Sequence, residues 1–157
     1  MQALLNIDDY VVEDFDIATN EDYKRPQKDE ASGMAISFDI KRKGKEPLFM
    51  LTLKVDLNKS ERSASCGPYR LSLRISGFFS FTESVDEETM HRMIGLNGIS
   101  ILYGLARGAV AQFTATCRHG KFLLPSVNFV ELLKEKAEKP EESPSKRARP
   151  KRSASRN

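Results

Sequence analysis

The feature that most restricts what this chain can fold into is a change of period near residue 84. Before it, apolar side chains recur at every second position; after it, at every third or fourth. In Met34–Ile40, Met34, Ile36, Phe38 and Ile40 alternate with Ala35, Ser37 and Asp39. Phe49, Leu51, Leu53, Val55 and Leu57 share one face after the turn-like RKGKEP. From Tyr69 the odd positions Tyr69, Leu71, Leu73 and Ile75 oppose Arg70, Ser72, Arg74 and Ser76. A two-residue period with one apolar face marks strands of an antiparallel sheet that is buried on one side. The run Ile7–Ile17 alternates less cleanly and reads as an edge strand. TNEDYKRPQKDEAS and NKSERSASCGP are polar connections.

After the switch, Ser84 and Glu87 form a capping box, so the pattern predicts a helix over 85–94 closed by Gly95. Asn97 is placed to cap a second helix from Gly98 to about Arg118, closed by Gly120. KFLLPSVNF reads as an extended linker, and Asn128 with Glu131 opens a last helix that Pro140 stops. Strands followed by helices give an α+β fold: a four-stranded antiparallel sheet with the C-terminal helices on one face. Residues 1–139 are expected to form this domain. Residues 140–157, PEESPSKRARPKRSASRN, lack large apolar side chains and are expected to be a disordered basic tail.

Hydrophobic residues make up 39% of the 157 and charged residues 30%, the balance of a water-soluble domain. The two cysteines, Cys66 and Cys117, are few for a chain that can bury its own core, and MQALLNIDDYVVED does not read as a secretory signal. Both are expected to be reduced and the protein cytoplasmic. The net charge of +3 is uneven: the tail carries six Lys/Arg against two Glu, leaving the body at −1. The basic balance therefore says little about what the folded part binds.

The segment ILYGLARGAVAQFTA, Ile101 to Ala115, is apolar on nearly every side. Arg107 stands at its middle, which costs about 2.5–3.5 kcal/mol in a bilayer, so no membrane span is expected. Ile99, Leu102, Ala106, Ala109, Phe113 and Cys117 make one apolar stripe; Ile101, Leu105, Gly108, Gln112 and Ala115 make a second. Ser100, Tyr103, Arg107, Thr114 and Arg118 are left as a polar strip. Two stripes require two partners. The sheet is one; the other is either the last helix, through Val130, Leu132 and Leu133, or another subunit. Gly104 and Gly108 each cost the helix about 1 kcal/mol relative to Ala, which makes sense where backbones approach closely.

Little in the chain carries covalent or metal chemistry. Cys66, His91, Cys117 and His119 lack the short paired spacing that preorganises zinc. Gly104–Gly108 lacks the Lys-Ser/Thr of a phosphate loop, and nothing orients a base toward either thiol. No enzyme activity, metal or cofactor is expected. An apolar surplus is more informative. Leu48, Met50 and Phe78 fall on the polar faces of their strands, and Phe79, Phe81, Met90, Met93 and the linker's Phe122 lie near the strand-to-helix crossing. Met- and Phe-rich surfaces suit varied apolar partners. The alternative is that the linker 122–124 covers them all.

Residues 101–133, ILYGLARG…HGKFLLPSVNFVELL, resemble the C-terminal half of the SecB family of export chaperones. Ile101, Leu102, Ala106 and Arg107 match its helix pattern; Val127, Asn128, Phe129 and Leu132 match the segment that follows, with Pro125 displaced by one residue. The resemblance implies a homotetramer, a dimer of dimers with long helices between two layers of sheet. Ile101, Gly104, Leu105, Gly108, Gln112 and Ala115 would then be interface residues. It also implies an ATP-independent holdase that binds unfolded or nascent polypeptides, with Leu48, Met50, Phe78, Phe79, Phe81, Met90, Met93 and Phe122 as the candidate client surface. Relatives pass clients in protein export to a SecA-type motor through an acidic sheet surface, for which Glu13, Asp14 and Asp16 are the nearest counterparts here. Others guard an antitoxin. The near-neutral body and basic tail depart from the export pattern. A rival of another class is an adaptor whose tail binds nucleic acid or another anionic partner.

Overall fold

The computed structural model describes residues 3–24, 33–59, 67–82 and 85–138, with side chains to residue 134. Alternation sets the architecture. In β3 (Leu48–Leu57) and β4 (Tyr69–Phe81) the odd-numbered side chains are buried. β2 (Met34–Arg42) pairs with β3, and β3 with β4, as antiparallel neighbours; β1 (Leu5–Thr19) crosses back to lie beside β4. The order β1-β4-β3-β2 is of the Greek-key kind and makes β1 and β2 the edges.

The untidy pattern of β1 has a physical cause. Its register slips between Ile7 and Asp9 and again between Val12 and Asp14. Each bulge inserts a residue and reverses the alternation. The residues of β1 on the buried side of the sheet are therefore Leu5, Ile7, Tyr10, Val12, Phe15 and Ile17, paired with Phe81, Phe79, Gly77, Ile75, Leu73 and Leu71.

The two helices expected between residues 85 and 118 are one. α1 (Glu87–Met93) runs through a π turn at Ile94–Gly98 into α2 (Ile99–Thr114) without a break. Gly95 and Asn97 lie inside that turn and neither closes nor caps a helix. Ile94 and Ile99, five residues apart, are both fully buried, which the wider turn permits and a regular α-turn does not. Gly98 sits where a Cβ would lie 3.0 Å from Ile94 Cδ1 and 3.4 Å from Leu51 Cδ2, so the helix presses onto the sheet there. The N-cap is Asp86, whose carboxylate accepts the Thr89 amide at 2.9 Å; Ser84 lies outside the described residues. α2 stops at Thr114 rather than Arg118 because the Thr114 hydroxyl accepts the Phe122 amide at 2.8 Å, which requires the chain to double back; Gly120 turns it at φ +77°. α3 (Phe129–Glu138) begins as the spacing predicts, with Asn128 Oδ1 accepting from the Val130 amide at 3.2 Å.

The continuous helix Glu87–Thr114 is long and apolar enough to cross a membrane by length and composition. Here its apolar side is core: Ile94, Ile99, Leu102, Ala106 and Val110 pack with Leu51, Leu53, Leu73 and Ile75. The tail expected over 140–157, Pro140 and Cys66 lie outside the described residues.

Candidate functional site

The sheet has one face under the helices and one that is bare among the described residues. On the bare face most rows are polar and mutually bonded. Thr52 Oγ1 and Ser76 Oγ are 2.8 Å apart and the Ser76 hydroxyl also donates to Glu13; Ser72 Oγ donates to Asp56 at 2.6 Å. One row differs. Lys41 of β2 stands opposite Met50 of β3, Met50 opposite Phe78 of β4, and Phe78 opposite Asp9 of β1. Phe78 is 40% exposed although β4 is a central strand. Beside this row a groove of about 480 Å³ crosses all four strands. Leu48, Met50, Phe78 and Phe79 form its apolar part; Lys41, Arg42 and Lys43 stand at the β2 end and Asp8 at the β1 end.

Arg42 is fixed. It pairs with Glu87 at 2.8 Å, donates to the Lys45 and Glu46 carbonyls at 2.9 Å, and lies 5.7 Å from the Phe49 ring centroid. Lys41 and Lys43 are held only by exposed contacts, at 3.6 Å to Asp39 and 3.8 Å to Glu46.

Of the other apolar candidates, Phe79 alone lines this groove. Phe79 is its floor, one residue out of phase with Phe78 and buried on the helix side. Phe81 and Met90 are core, with Phe81 edge-on to Phe49 at 5.8 Å. Met93 is half-buried against the core, and Phe122 packs on Tyr69 at 6.0 Å on the helix side. The linker does not roof Leu48, Met50 and Phe78, because it runs across α2 on the other face of the sheet. Residues of the supposed polar strip hold it there. Tyr103 Oη donates to the Pro125 carbonyl at 2.6 Å, Arg107 Nε to the Leu124 carbonyl at 2.9 Å, and Thr114 binds Phe122. Tyr103 and Thr114 are thus buried, contrary to the expected wet strip. Burial raises the Tyr103 hydroxyl's pKa against the opposing pull of Arg107. The lone cation of an apolar helix was the signal for this role.

The second stripe of α2 faces outward. Ile101 is 38% exposed, Leu105 is half-buried, and Gln112 and Ala115 are exposed. A Cβ on Gly104 or Gly108 would meet no described atom within 4 Å. α3 rests on the π turn and, through Phe129, on Tyr103 of α2 at 5.3 Å, and none of its described atoms reaches these glycines. Phe113, expected in the first stripe, is 49% exposed and meets Phe15 of β1 edge-on at 5.3 Å.

Glu13, Asp14 and Asp16 are on the bare face but do not form an acidic patch. Glu13 pairs with Arg74 at 3.6 Å, Asp14 stands opposite Arg74, and Asp16 shares a shallow pocket with Lys59 and Arg70. Partial burial pulls the Asp56 carboxyl's pKa up, but Ser72, Lys54 and Lys59 together hold it below the ordinary value. Among the described residues no three His, Cys, Asp or Glu side chains gather as metal ligands. His119 Nε2 instead bonds the Asn20 carbonyl at 2.7 Å between the rings of Tyr23 and Tyr69.

Residues 2–140 match the family model described as preprotein translocase subunit SecB. The chain belongs to the SecB family. Its fold is also that of the Mycobacterium tuberculosis SecB-like chaperone Rv1957, solved in complex with a ChAD peptide from the Rv1956 HigA1 antitoxin. The TM-score is 0.53 at 14% identity, covering 79% of this chain and 91% of that one. A Streptococcus agalactiae protein of unknown function superposes at a TM-score of 0.43 and 8% identity, over 78% and 97% of the two chains. No curated protein matches the sequence. Membership in the SecB family supports a chaperone role rather than an enzymatic one.

Proposed function

We propose that this protein is a cytoplasmic, ATP-independent holdase that binds unfolded or nascent polypeptide in the groove on the bare face of its sheet. The observation that carries this reading is Phe78, a large aromatic on a central strand left 40% exposed beside Met50 and Leu48. Fully burying such a side chain is worth about 1.5–3 kcal/mol, so a client that covers the 40% still exposed gains roughly 1 kcal/mol. The working form is a homotetramer, a dimer of dimers, assembled through the outward stripe of α2. Residues 1–139 are the chaperone domain and 140–157 a basic tail.

Between general export and a dedicated client, the second fits better. The bare face alternates Glu13, Asp14 and Asp16 with Arg74, Arg70 and Lys59, which weakens any field that would recruit a motor such as SecA. The Rv1957 complex shows that a protein of this fold can hold an antitoxin segment.

The test is suppression of aggregation of a denatured client by the full chain and by the chain lacking residues 140–157. Both are expected to protect, and Phe78→Ser in either is expected to remove most protection while the circular dichroism of the folded chain is kept. Loss of protection with the tail alone would favour the adaptor reading, in which Lys146, Arg147, Arg149, Lys151 and Arg152 hold an anionic partner.

A further inference from the structure

We propose that the groove selects clients by charge polarity. Its preferred segment carries a carboxylate at the β2 end, one or two large apolar side chains in the middle, and a cation at the β1 end about four residues away. The inference rests on the holdase reading and goes beyond it.

The row Lys41–Met50–Phe78–Asp9 is the basis. Four adjacent strands are separated by three spacings of about 4.8 Å, so the two charged ends are roughly 14 Å apart. An extended peptide advances about 3.3 Å per residue, which places complementary charges about four residues apart. The ends are reinforced: Lys43 stands beside Lys41, and Asp8 beside Asp9 on the first bulge of β1. These groups are available to a ligand. Lys41 and Lys43 are 67% and 76% exposed in their side chains, and the ion pairs they would give up are solvent-screened and worth little. Among the described residues Asp8 is engaged by the Ser80 hydroxyl at 2.8 Å, and Asp9 Oδ1 accepts the Tyr10 amide at 2.8 Å, leaving lone pairs on both carboxylates. Arg42 is not part of the selection, because its guanidinium already has three partners.

The ladder decides how a client is held. Met50 and Phe78 lie on the two inner strands, whose backbone groups pair with strands on both sides. A segment over them cannot add as another strand and must bind through side chains. Apolar contact then supplies affinity and the two charged ends supply discrimination. A peptide of uniform charge meets one matched end and one like-charged end.

Fluorescent peptides with a Leu-Phe centre and flanking charges four residues apart test this by anisotropy at low salt. The acid–base peptide is expected to bind about fivefold tighter than acid–acid or base–base versions, which each lose one exposed ion pair and gain one like-charge contact of similar size. Lys41→Glu/Lys43→Glu should transfer the preference to the base–base peptide, and Asp8→Lys/Asp9→Lys to the acid–acid one. Phe78→Ser, which adds no charge, should weaken all three alike, which locates them in the groove. Equal affinities for the three peptides, or an order unmoved by the charge variants, would overturn the inference. So would protection of a denatured client by a protein that binds none of them. A change of molecular mass in the Lys41→Glu/Lys43→Glu variant with no change in peptide order would make the groove a contact between copies, which also overturns it. Failure of the holdase reading is separate: it is read from client aggregation.

Discussion

At the scale of single residues, two positions carry contacts that a variant can expose. Gly77 of β4 faces the helix, and a Cβ there would lie 2.8 Å from Phe79 Cε2 and 2.9 Å from Leu102 Cδ1. Both neighbours are themselves buried in the core, so accommodating the methyl means moving packed side chains. Gly77→Ala is expected to cost about 1–3 kcal/mol by overpacking, read from the urea midpoint. Asp86 is the second. The Thr89 amide, bonded to its carboxylate, holds its pKa below the ordinary aspartate value. A lowered folded-state pKa contributes stability above the unfolded value, near 3.9, and loses it as pH falls through the folded one. Asp86→Ala should therefore lower the melting temperature at pH 7, and the gap to the wild type should close below about pH 4. Residue phase was legible where alternation is strict, as for Phe78 against Ser76. It was not legible for Phe81 and Met90, because apolar letters alone do not say which of them the helix will cover.

Among the elements, the strands were readable because each half-buried strand must repeat every two residues. β1 was blurred by its bulges, which are set by pairing with β4 rather than by local sequence. The helices were misdivided for a related reason. Gly95 and Asn97 have the chemistry of a stop and a start, but the burial of Ile94 and Ile99 on one sheet overrides local propensity. The linker owes its place to α2. Arg107→Leu removes the donor to the Leu124 carbonyl and should cost about 1 kcal/mol. Hydrogen exchange should quicken in residues 121–127 while the strands keep their protection. Unchanged exchange there would mean that Tyr103 and Thr114 hold the linker unaided.

For the whole molecule, the open question is what covers the outward side of α2. Gly104 and Gly108 meet no described atom, so a larger side chain costs the single chain no space. Gly104→Leu or Gly108→Leu should leave the circular dichroism of the fold intact and, if the proposed tetramer forms through this stripe, break it into smaller species by sedimentation. A monomeric wild type at micromolar concentration would remove the need for a partner. The sequence showed that the stripe exists, but not what meets it: a stripe looks the same whether α3, another chain or solvent lies on it. The direction of that stripe depends on one turn of backbone. A π turn holds one residue more than an α-turn, and each residue of a helix rotates it by about 100°. Residues 94–98 thus act as an angular offset between α1 and everything after it. Removing one residue there would swing α2 by a quarter-turn or more about its own axis. The glycine side would move off its outward bearing and Leu102, Ala106 and Val110 would leave the sheet. One inserted residue aims the helix, and with it decides which side this chain lays on its own sheet and which it turns outward.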